Sequence, residues 1–270
     1  EMVKRAHALG YSALAITDKH ELGGVVRAHQ AAKECGLKLL IGTEIDTLEP
    51  DTPSIVLIAR NRQGYAKLCR LLTECKRSRP RGTPGLPFQR IVESAQDCVG
   101  LLLGPCPETQ ARVFLKAFQA YGGLAYSRLF RPGEEARNRA LEALSSLTRL
   151  PLIATGRVRC HEPERKMLLD VLTAIRTGRP VADCGYGLEP NEETSLRTPK
   201  IIADRFHGIG QSAAVDRALH WADECTFSLD ELRFVYPRSD LPPGETAATY
   251  FRALVQAEAT QRYGTCLNDA

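Results

Sequence analysis

Short apolar runs that alternate with amphipathic segments constrain the fold of this 270-residue chain more than any other feature. Each apolar run has the length of a buried strand and is bounded by turn residues, whereas the segments between the runs have helical periodicity. The first five of these segments are SALAITD, LGGVVRAHQAAKECG, LKLLIGTEI, SIVLIARN and GYAKLCRLLTECKRS. The alternation predicts a mainly parallel sheet with helices outside it, either closed as a β/α barrel or open and doubly wound.

The pattern changes after about Val181, where DCGYGLEPNEETSLRTP contains turn and capping residues but no apolar run of strand length. Helical patterns return in SAAVDRALHWADEC and again from about Thr246, and Ser228-x-x-Glu231 has the spacing of a capping box. We therefore predict a first domain over about 1–200 and the start of a second, mostly helical domain over 201–270. Because the chain begins inside a helical pattern, we also expect it to be a fragment of a longer protein.

Charge and hydropathy exclude few functions. The 36 basic and 32 acidic residues give a formal net charge of +4, which permits nucleic acid or phosphate partners without requiring them. No stretch approaches the roughly 20 apolar residues of a membrane span, so the sequence predicts a soluble, cytoplasmic protein that does not bind membranes. Since no G-x-S-x-G motif occurs, covalent hydrolase chemistry is not indicated.

Polar residues at the predicted strand ends are the candidates for a functional site. They are Asp18 after the first strand, Glu44 at the end of the second, Ser54 before the third, and Thr155, Arg157 and Arg159 at the last. Alternation along a strand places the last three on one face. A metal centre for phosphoester hydrolysis needs imidazoles and carboxylates that converge at such an edge. Here only Asp18 and Glu44 are carboxylates, and Lys19 and the arginines bring positive charge instead.

Four segments resemble the N-terminal part of bacterial DNA polymerase III alpha subunits. They are ITDKHELGGVVRAHQAAKECGLKLLIGTE, SIVLIARNRQGYAKLCRLLT, LPLIATGRVRCHEPERKMLLDVLTAIRTGRPVADCGYGLEPNEE and FSLDELRFVYPRSDLPPGETAATY. The resemblance is closest to the error-prone, DnaE-like branch, also called ImuC. It implies a PHP (polymerase and histidinol phosphatase) domain, which is a distorted β/α barrel, followed by a mostly helical lead into a polymerase palm.

The same resemblance implies that the metal site is degenerate. Active members have a His-x-His pair on a first strand, and this chain starts after that point. The family's Thr-Asp-His is here Thr17-Asp18-Lys19, its Asp-x-His is Arg157-Val158-Arg159, Glu44 matches a ligand glutamate, and Ser54 stands where many members have histidine. Cations repel a divalent ion, and arginine cannot become a ligand, so we expect Lys19, Arg157 and Arg159 to pair with Asp18 and Glu44. The resemblance thus implies a structural PHP domain that holds no metal.

For the parent protein, the resemblance implies an error-prone DNA-directed DNA polymerase, a nucleotidyltransferase that acts in damage-tolerant (translesion) DNA synthesis. Its substrates would be a DNA primer-template and deoxynucleoside triphosphates, and Mg²⁺ would be bound by palm carboxylates outside this chain. The family suggests a sliding clamp and accessory mutagenesis proteins as partners. On this view, no residue of the present segment is catalytic.

Two other classes of function stay open at this stage. One is a metal-dependent PHP phosphoesterase or proofreading nuclease, for which a shifted site could use Asp18, His20, Glu44 and His161. The other is a non-catalytic module whose basic barrel mouth binds an anion. Separately, the basic run Lys76, Arg77, Arg79 and Arg81 is a candidate nucleic acid contact, although such runs are commonly solvated loops.

Overall fold

A computed structural model describes residues 1–78, 82, 84–94, 96–233 and 240–264. Within these residues, six strands form one curled sheet in the order β1-β2-β3-β4-β5-β6. The strands are β1 Ala13–Ile16, β2 Lys38–Ile45, β3 Ile55–Ala59, β4 Cys98–Leu102, β5 Gly122–Tyr126 and β6 Leu152–Ala154. The helices are α1 Met2–Ala8, α2 Val25–Cys35, α3 Arg62–Arg77, α4 Phe88–Glu93, α5 Glu108–Phe118, α6 Glu134–Thr148, α7 Lys166–Thr177, α8 Pro199–His207, α9 Ser212–Glu224 and α10 Ala247–Tyr263. The predicted class, a distorted β/α barrel, is confirmed.

Strand β3 departs from the predicted parallel arrangement. The pairs β1/β2, β4/β5 and β5/β6 are parallel, but β3 is antiparallel to both β2 and β4. Residues 46–54 join β2 to β3 without a helix, and a parallel pairing would need a longer crossover connection. As a consequence, the start of β3 lies at the same edge of the sheet as the carboxyl end of β2.

The two faces of the sheet are packed by different helices. One face, which includes Ile41, Leu57 and Leu102, packs against apolar residues of α3, α5 and α6. The other face, which includes Leu40, Ile58 and Ile153, packs against Trp221 of α9. A helix that follows the last strand therefore covers the inner face of the open barrel, and Trp221 is a core residue.

Helix ends follow the sequence signals. Gly178 has a φ of 65° and caps α7 in the left-handed conformation, for which glycine carries no steric penalty. Thr246 caps α10, with Thr249 completing a reciprocal pair of hydrogen bonds. At Ser228 the backbone N–H donates to Glu231 Oε1 at 2.9 Å, so the predicted capping box there is confirmed in part, although only a 3-10 turn at Leu229–Glu231 follows it.

The chain divides into two compact units, Glu1–Glu231 and Leu232–Ala270. The first unit contains the whole sheet and α1 to α9, and the described part of the second contains α10. The predicted domain boundary near residue 200 stays a prediction. None of the helices among the described residues has the length and apolar composition needed to cross a bilayer.

Candidate functional site

The backbone continues the β1/β2 ladder beyond the end of β1 and so sets the position of the first candidate residues. The N–H of Glu44 donates to the carbonyl oxygen of Asp18 at 3.1 Å, and the N–H of His20 donates to the carbonyl oxygen of Glu44 at 2.8 Å. The hydroxyl of Thr43 also donates to the Asp18 carbonyl oxygen, at 2.9 Å. Lys19 is thereby held directly beside Glu44.

Glu44 lies between two cations. Its Oε1 is 3.8 Å from Nζ of Lys19, and its Oε2 is 3.9 Å from Nη2 of Arg157. The Glu44 side chain is 19% exposed, so solvent screens these charges less than it screens charges on the outer surface. Glu44 therefore forms the ion pairs with Lys19 and Arg157 that were expected from the sequence.

Asp46 is the residue of this cluster that the sequence reasoning missed. Its carboxylate accepts from Lys19 Nζ at 2.9 Å, from Ser54 Oγ at 2.6 Å and contacts His20 Nε2 at 3.1 Å. Partial burial acts to raise the pKa of Asp46, but the hydrogen bonds from Ser54, Lys19 and His20 outweigh it and lower the pKa below the usual value. Because Glu44 and Asp46 are two residues apart on an extended chain, alternation was the signal that could have identified Asp46.

Ser54 reaches Asp46 because β3 is antiparallel, which puts its first residue at the carboxyl end of β2. His20 is 7% exposed and has a φ of 58°, in the left-handed region that non-glycine residues rarely adopt. Its Nδ1 lies 3.5 Å from Sγ of Cys75, so both ring nitrogens contact protein atoms. Ser54 and His20 are thus internal partners of the Asp46 carboxylate.

The prediction that Thr155, Arg157 and Arg159 share one strand face is wrong. Strand β6 ends at Ala154, and Arg157 has a φ of 42°, so the chain is no longer extended there. The N–H of Arg159 donates to the carbonyl oxygen of Thr194 at 2.7 Å, because the chain turns to pair with that segment. The Arg159 guanidinium consequently contacts Glu189 at 3.3 Å, while Arg157 alone turns towards Glu44.

Asp18 does not join the ion-pair cluster that was expected around it. Among the residues that the structure describes, no cation lies within ion-pair distance of its carboxylate. The Oδ2 atom instead lies close to Gly24, where an added Cβ would approach to 2.9 Å. Gly24 therefore leaves the space that the Asp18 side chain occupies.

The alternative site of Asp18, His20, Glu44 and His161 is not brought together. The ring nitrogens of His161 lie 3.7 Å from Glu1 and 3.8 Å from Glu162, away from the Asp46 contact of His20. Within the described ranges, no group of three or more His, Cys, Asp or Glu side chains has the arrangement of a metal site.

The donor set at the strand ends does not suit a divalent metal ion. An ion placed at Glu44 would meet the ammonium of Lys19 and the guanidinium of Arg157, and neither group can act as a ligand while charged. The oxygens of Asp46 already accept hydrogen bonds from Lys19 and Ser54. The arrangement is chemically suited to joining strand ends by charge and not to activating water.

The basic run of the sequence lies only partly within the described residues. Lys76 and Arg77 are exposed in the last turn of α3 and make no ion pair with another described residue. Arg79 and Arg81 lie outside the described residues. A nucleic acid contact at this run stays a prediction.

Comparison with known proteins shows what this chain is similar to. The model of the PHP domain family matches residues 1–148. This chain is 36% identical to an error-prone DNA polymerase of Ralstonia nicotianae over 98% of its length, and 38% identical to one of Methylococcus capsulatus over 97% of its length. The chain spans about a quarter of the length of these relatives, 26% and 25%. A putative metal-dependent phosphoesterase from Bifidobacterium adolescentis has a similar fold over 57% of this chain and 80% of its own, with a TM-score of 0.43 and 14% identity.

Proposed function

The chain belongs to the PHP domain family, and from this we propose that it is the N-terminal region of an error-prone DNA-directed DNA polymerase. The proposed role of the parent protein is damage-tolerant, translesion DNA synthesis and repair in the cytoplasm. Support comes from curated relatives named error-prone DNA polymerase, to which nearly the whole chain aligns. Polymerisation would belong to the parent protein and not to this segment.

On this proposal, the parent protein binds a DNA primer-template and deoxynucleoside triphosphates, with a sliding clamp and accessory mutagenesis proteins as further partners. Magnesium ions held by carboxylates outside this chain would stabilise the departing pyrophosphate. The PHP domain of the present chain would stabilise and position the polymerase domain.

We propose further that the PHP domain is structural, and the placement of Glu44 between Lys19 and Arg157 carries this proposal. Two cations at this carboxylate supply the positive charge that metal ions would supply in an active member of the family. Removing a partly buried charge partner leaves the other charge uncompensated, so these residues contribute to holding the strand ends together.

The exposed face of α7 supports the view that the chain is one part of a larger protein. Five apolar side chains of this helix are at least 40% exposed: Met167, Leu168, Val171, Leu172 and Ile175. Their spacing puts them along one side of the helix. Contiguous apolar surface of this kind is typical of an interface with another domain.

Metal titration tests the structural role of the domain. We expect the 270-residue chain to bind neither Mn²⁺ nor Zn²⁺ at its strand ends in calorimetry, and to hydrolyse neither p-nitrophenyl phosphate nor single-stranded DNA. Stoichiometric binding that is lost in Glu44→Gln, but kept in the surface control Glu108→Gln, would instead establish a metal-dependent phosphoesterase or nuclease. Glu108 is a suitable control because it pairs with Arg112 on the exposed side of α5.

Sequencing the coding region on both sides of this segment tests the polymerase assignment. We expect the reading frame to continue downstream into a region with paired aspartates that bind magnesium. The upstream strand will show whether the His-x-His pair is present. A stop codon directly after Ala270 would exclude polymerisation by this chain and would favour a non-catalytic anion-binding module.

A further inference from the structure

Phe130 lies on the surface in an uncommon backbone conformation, in the segment that joins β5 to α6. Its φ is 53° and the residue is 54% exposed. Bulky residues rarely adopt the left-handed region, because their Cβ atom approaches the neighbouring carbonyl oxygen. Exposure of an aromatic ring to water is also unfavourable. An outlier that is costly in both respects points to a function.

Specific hydrogen bonds hold Phe130 in this conformation. The buried carboxylate of Glu134 accepts from the N–H of Leu129 at 2.7 Å and from the N–H of Phe130 at 2.8 Å. The side-chain amide of Asn191 donates to the carbonyl oxygens of Leu129 and Phe130, at 2.7 and 3.1 Å. The side chains of Glu134 and Asn191 therefore fix the backbone at Phe130, and this backbone conformation holds the ring at the surface.

Two arginines adjoin the exposed ring. The Cζ atoms of Arg128 and Arg205 lie 5.3 and 5.1 Å from the ring centroid of Phe130, within the range of cation–π attraction. Arg205 is paired with Glu193 at 2.6 Å. Arg128 makes no ion pair with any residue that the structure describes, so its charge is available to a ligand.

The surface near the ring keeps an excess of positive charge because its carboxylates are shared between arginines. Arg131 and Arg159 both contact Glu189, and Arg197 and Arg205 both contact Glu193. One carboxylate neutralises only one guanidinium, so each shared pair retains a net positive charge. With Arg128, this makes five arginines against the carboxylates of Glu134, Glu189 and Glu193, and the remaining positive charge attracts an anion.

We propose that Phe130 and Arg128 form a binding site for a nucleobase and its adjoining phosphate, as presented by single-stranded nucleic acid. The ring would stack on the face of a base, and the guanidinium would pair with the phosphate. Arginine and aromatic residues also occur in protein interfaces, but the excess of positive charge on this surface suits a polyanion better than an apolar protein partner. The site uses none of the strand-end residues and is independent of whether the parent protein polymerises DNA.

Binding of a fluorescein-labelled oligothymidylate of about 16 nucleotides to the 270-residue chain, followed by anisotropy at low salt, tests the stacking. We expect Phe130→Leu, which removes the aromatic face, to weaken binding roughly fivefold or more. Phe130→Tyr keeps the face and should retain the affinity. Tyr186→Leu removes an aromatic ring that is fully exposed elsewhere, and it should change nothing.

A matched pair of charge variants tests the phosphate contact. Arg128→Gln should weaken binding and reduce the slope of log affinity against log salt by about 0.7, the value for one phosphate contact on a single strand. Arg139→Gln removes the same charge from an exposed position of α6 and should have a smaller effect. Equal effects of the two variants would reduce the site to general electrostatics and overturn the proposal.

Competition by thymidine monophosphate distinguishes a strand from a free nucleotide. Displacement of the oligonucleotide by the monophosphate at comparable concentration would assign the site to free nucleotides, whereas failure to displace it would assign the site to a strand. The base-binding proposal is overturned if the wild-type chain does not bind the oligonucleotide, or if Phe130→Leu binds it as tightly as the wild type. Phe130 would then be assigned to a protein contact.

Discussion

Asp46 shows how one residue organises the candidate site. It accepts from Lys19 and Ser54 and contacts His20, and so connects β2 with the segments after β1 and before β3. Its lowered pKa means that the folded protein favours the charged carboxylate. Since the folded-state value lies below the unfolded value, the contribution to stability is full above a pH of about 4 and is lost as the pH falls through the folded pKa.

We predict that Asp46→Asn lowers the free energy of unfolding at pH 7 by about 1 kcal/mol, because charged hydrogen bonds are lost and solvent screens part of the effect. Wild-type protein should lose part of this contribution on acidification from pH 7 to a pH of about 3, whereas the variant has none to lose. Urea unfolding at both pH values measures the difference.

Asp230→Asn provides the control for this prediction. Asp230 also has a lowered pKa, caused by hydrogen bonds from Lys33 and His29, but it is an exposed surface carboxylate. Its substitution should change the stability less than that of Asp46. The same pH dependence in wild type and Asp46→Asn would show that Asp46 is not the organising residue.

At the scale of elements, the contact of β5 with α9 depends on the absence of a side chain at Gly123. A Cβ at this position would lie 2.7 Å from Cγ1 of Ile153 and 2.8 Å from Cη2 of Trp221. Both neighbours are buried, so neither can move aside freely.

We therefore predict that Gly123→Ala lowers the free energy of unfolding by about 1 to 3 kcal/mol, the usual cost of overpacking a core. Thermal unfolding followed by circular dichroism provides the measurement. Gly187→Ala is the matched control, since a Cβ there would meet no atom within 4 Å. Equal stability of the two variants would contradict the tight packing of α9 on the inner face.

The apolar face of α7 leads to the opposite expectation. Met167 and Ile175 are 76% and 72% exposed, so replacing both with glutamine removes little buried surface. We predict an unchanged melting temperature and a higher solubility limit, measured by calorimetry and by concentration at precipitation. By contrast, Leu141→Ala in the core should cost about 2 to 5 kcal/mol. Destabilisation by the glutamine pair would show that this face is packed within the chain.

The elements also show where sequence reasoning succeeds. The apolar runs SALAITD, LKLLIGTEI and SIVLIARN identify β1, β2 and β3, and the helical patterns in SAAVDRALHWADEC and from about Thr246 identify α9 and α10. The apolar run of β3 does not give its direction, because both directions bury it, but the short connection over 46–54 is a sequence signal for antiparallel pairing. The backbone at Phe130 could not be predicted from the sequence, because hydrogen bonds with the side chains of Glu134 and Asn191 set it after β5 has ended at Tyr126.

At the scale of the whole molecule, the division into two compact units predicts which truncated chains stay stable. The buried cores include Phe206 of α8 and Trp221 of α9, which both precede residue 231. We predict that residues 1–231 keep the melting temperature of the full chain, whereas residues 1–200 melt at least several degrees lower or fail to fold, because they lack both helices.

Calorimetry of the two truncated chains measures this and tests the domain boundary near residue 200. A stable, cooperatively folded 1–200 chain would support that boundary and would show that α8 and α9 are dispensable. The residues of the charge cluster at the strand ends all precede residue 200, so both truncated chains contain them. Strand-end positions identified Lys19, Glu44 and Arg157 in the sequence, and the resemblance matched them to a metal site, whereas Asp46 was identified from three-dimensional contacts.

The placement of Trp221 has an optical consequence. It is the single tryptophan of the chain, and its indole lies 6% exposed between α9 and the inner face of the sheet. Its emission on excitation near the red edge of the protein absorption band therefore originates from one position in the first unit, without any label. A shift of that emission to longer wavelength would report that water has entered between α9 and the strands, even while the remainder of the protein stays folded.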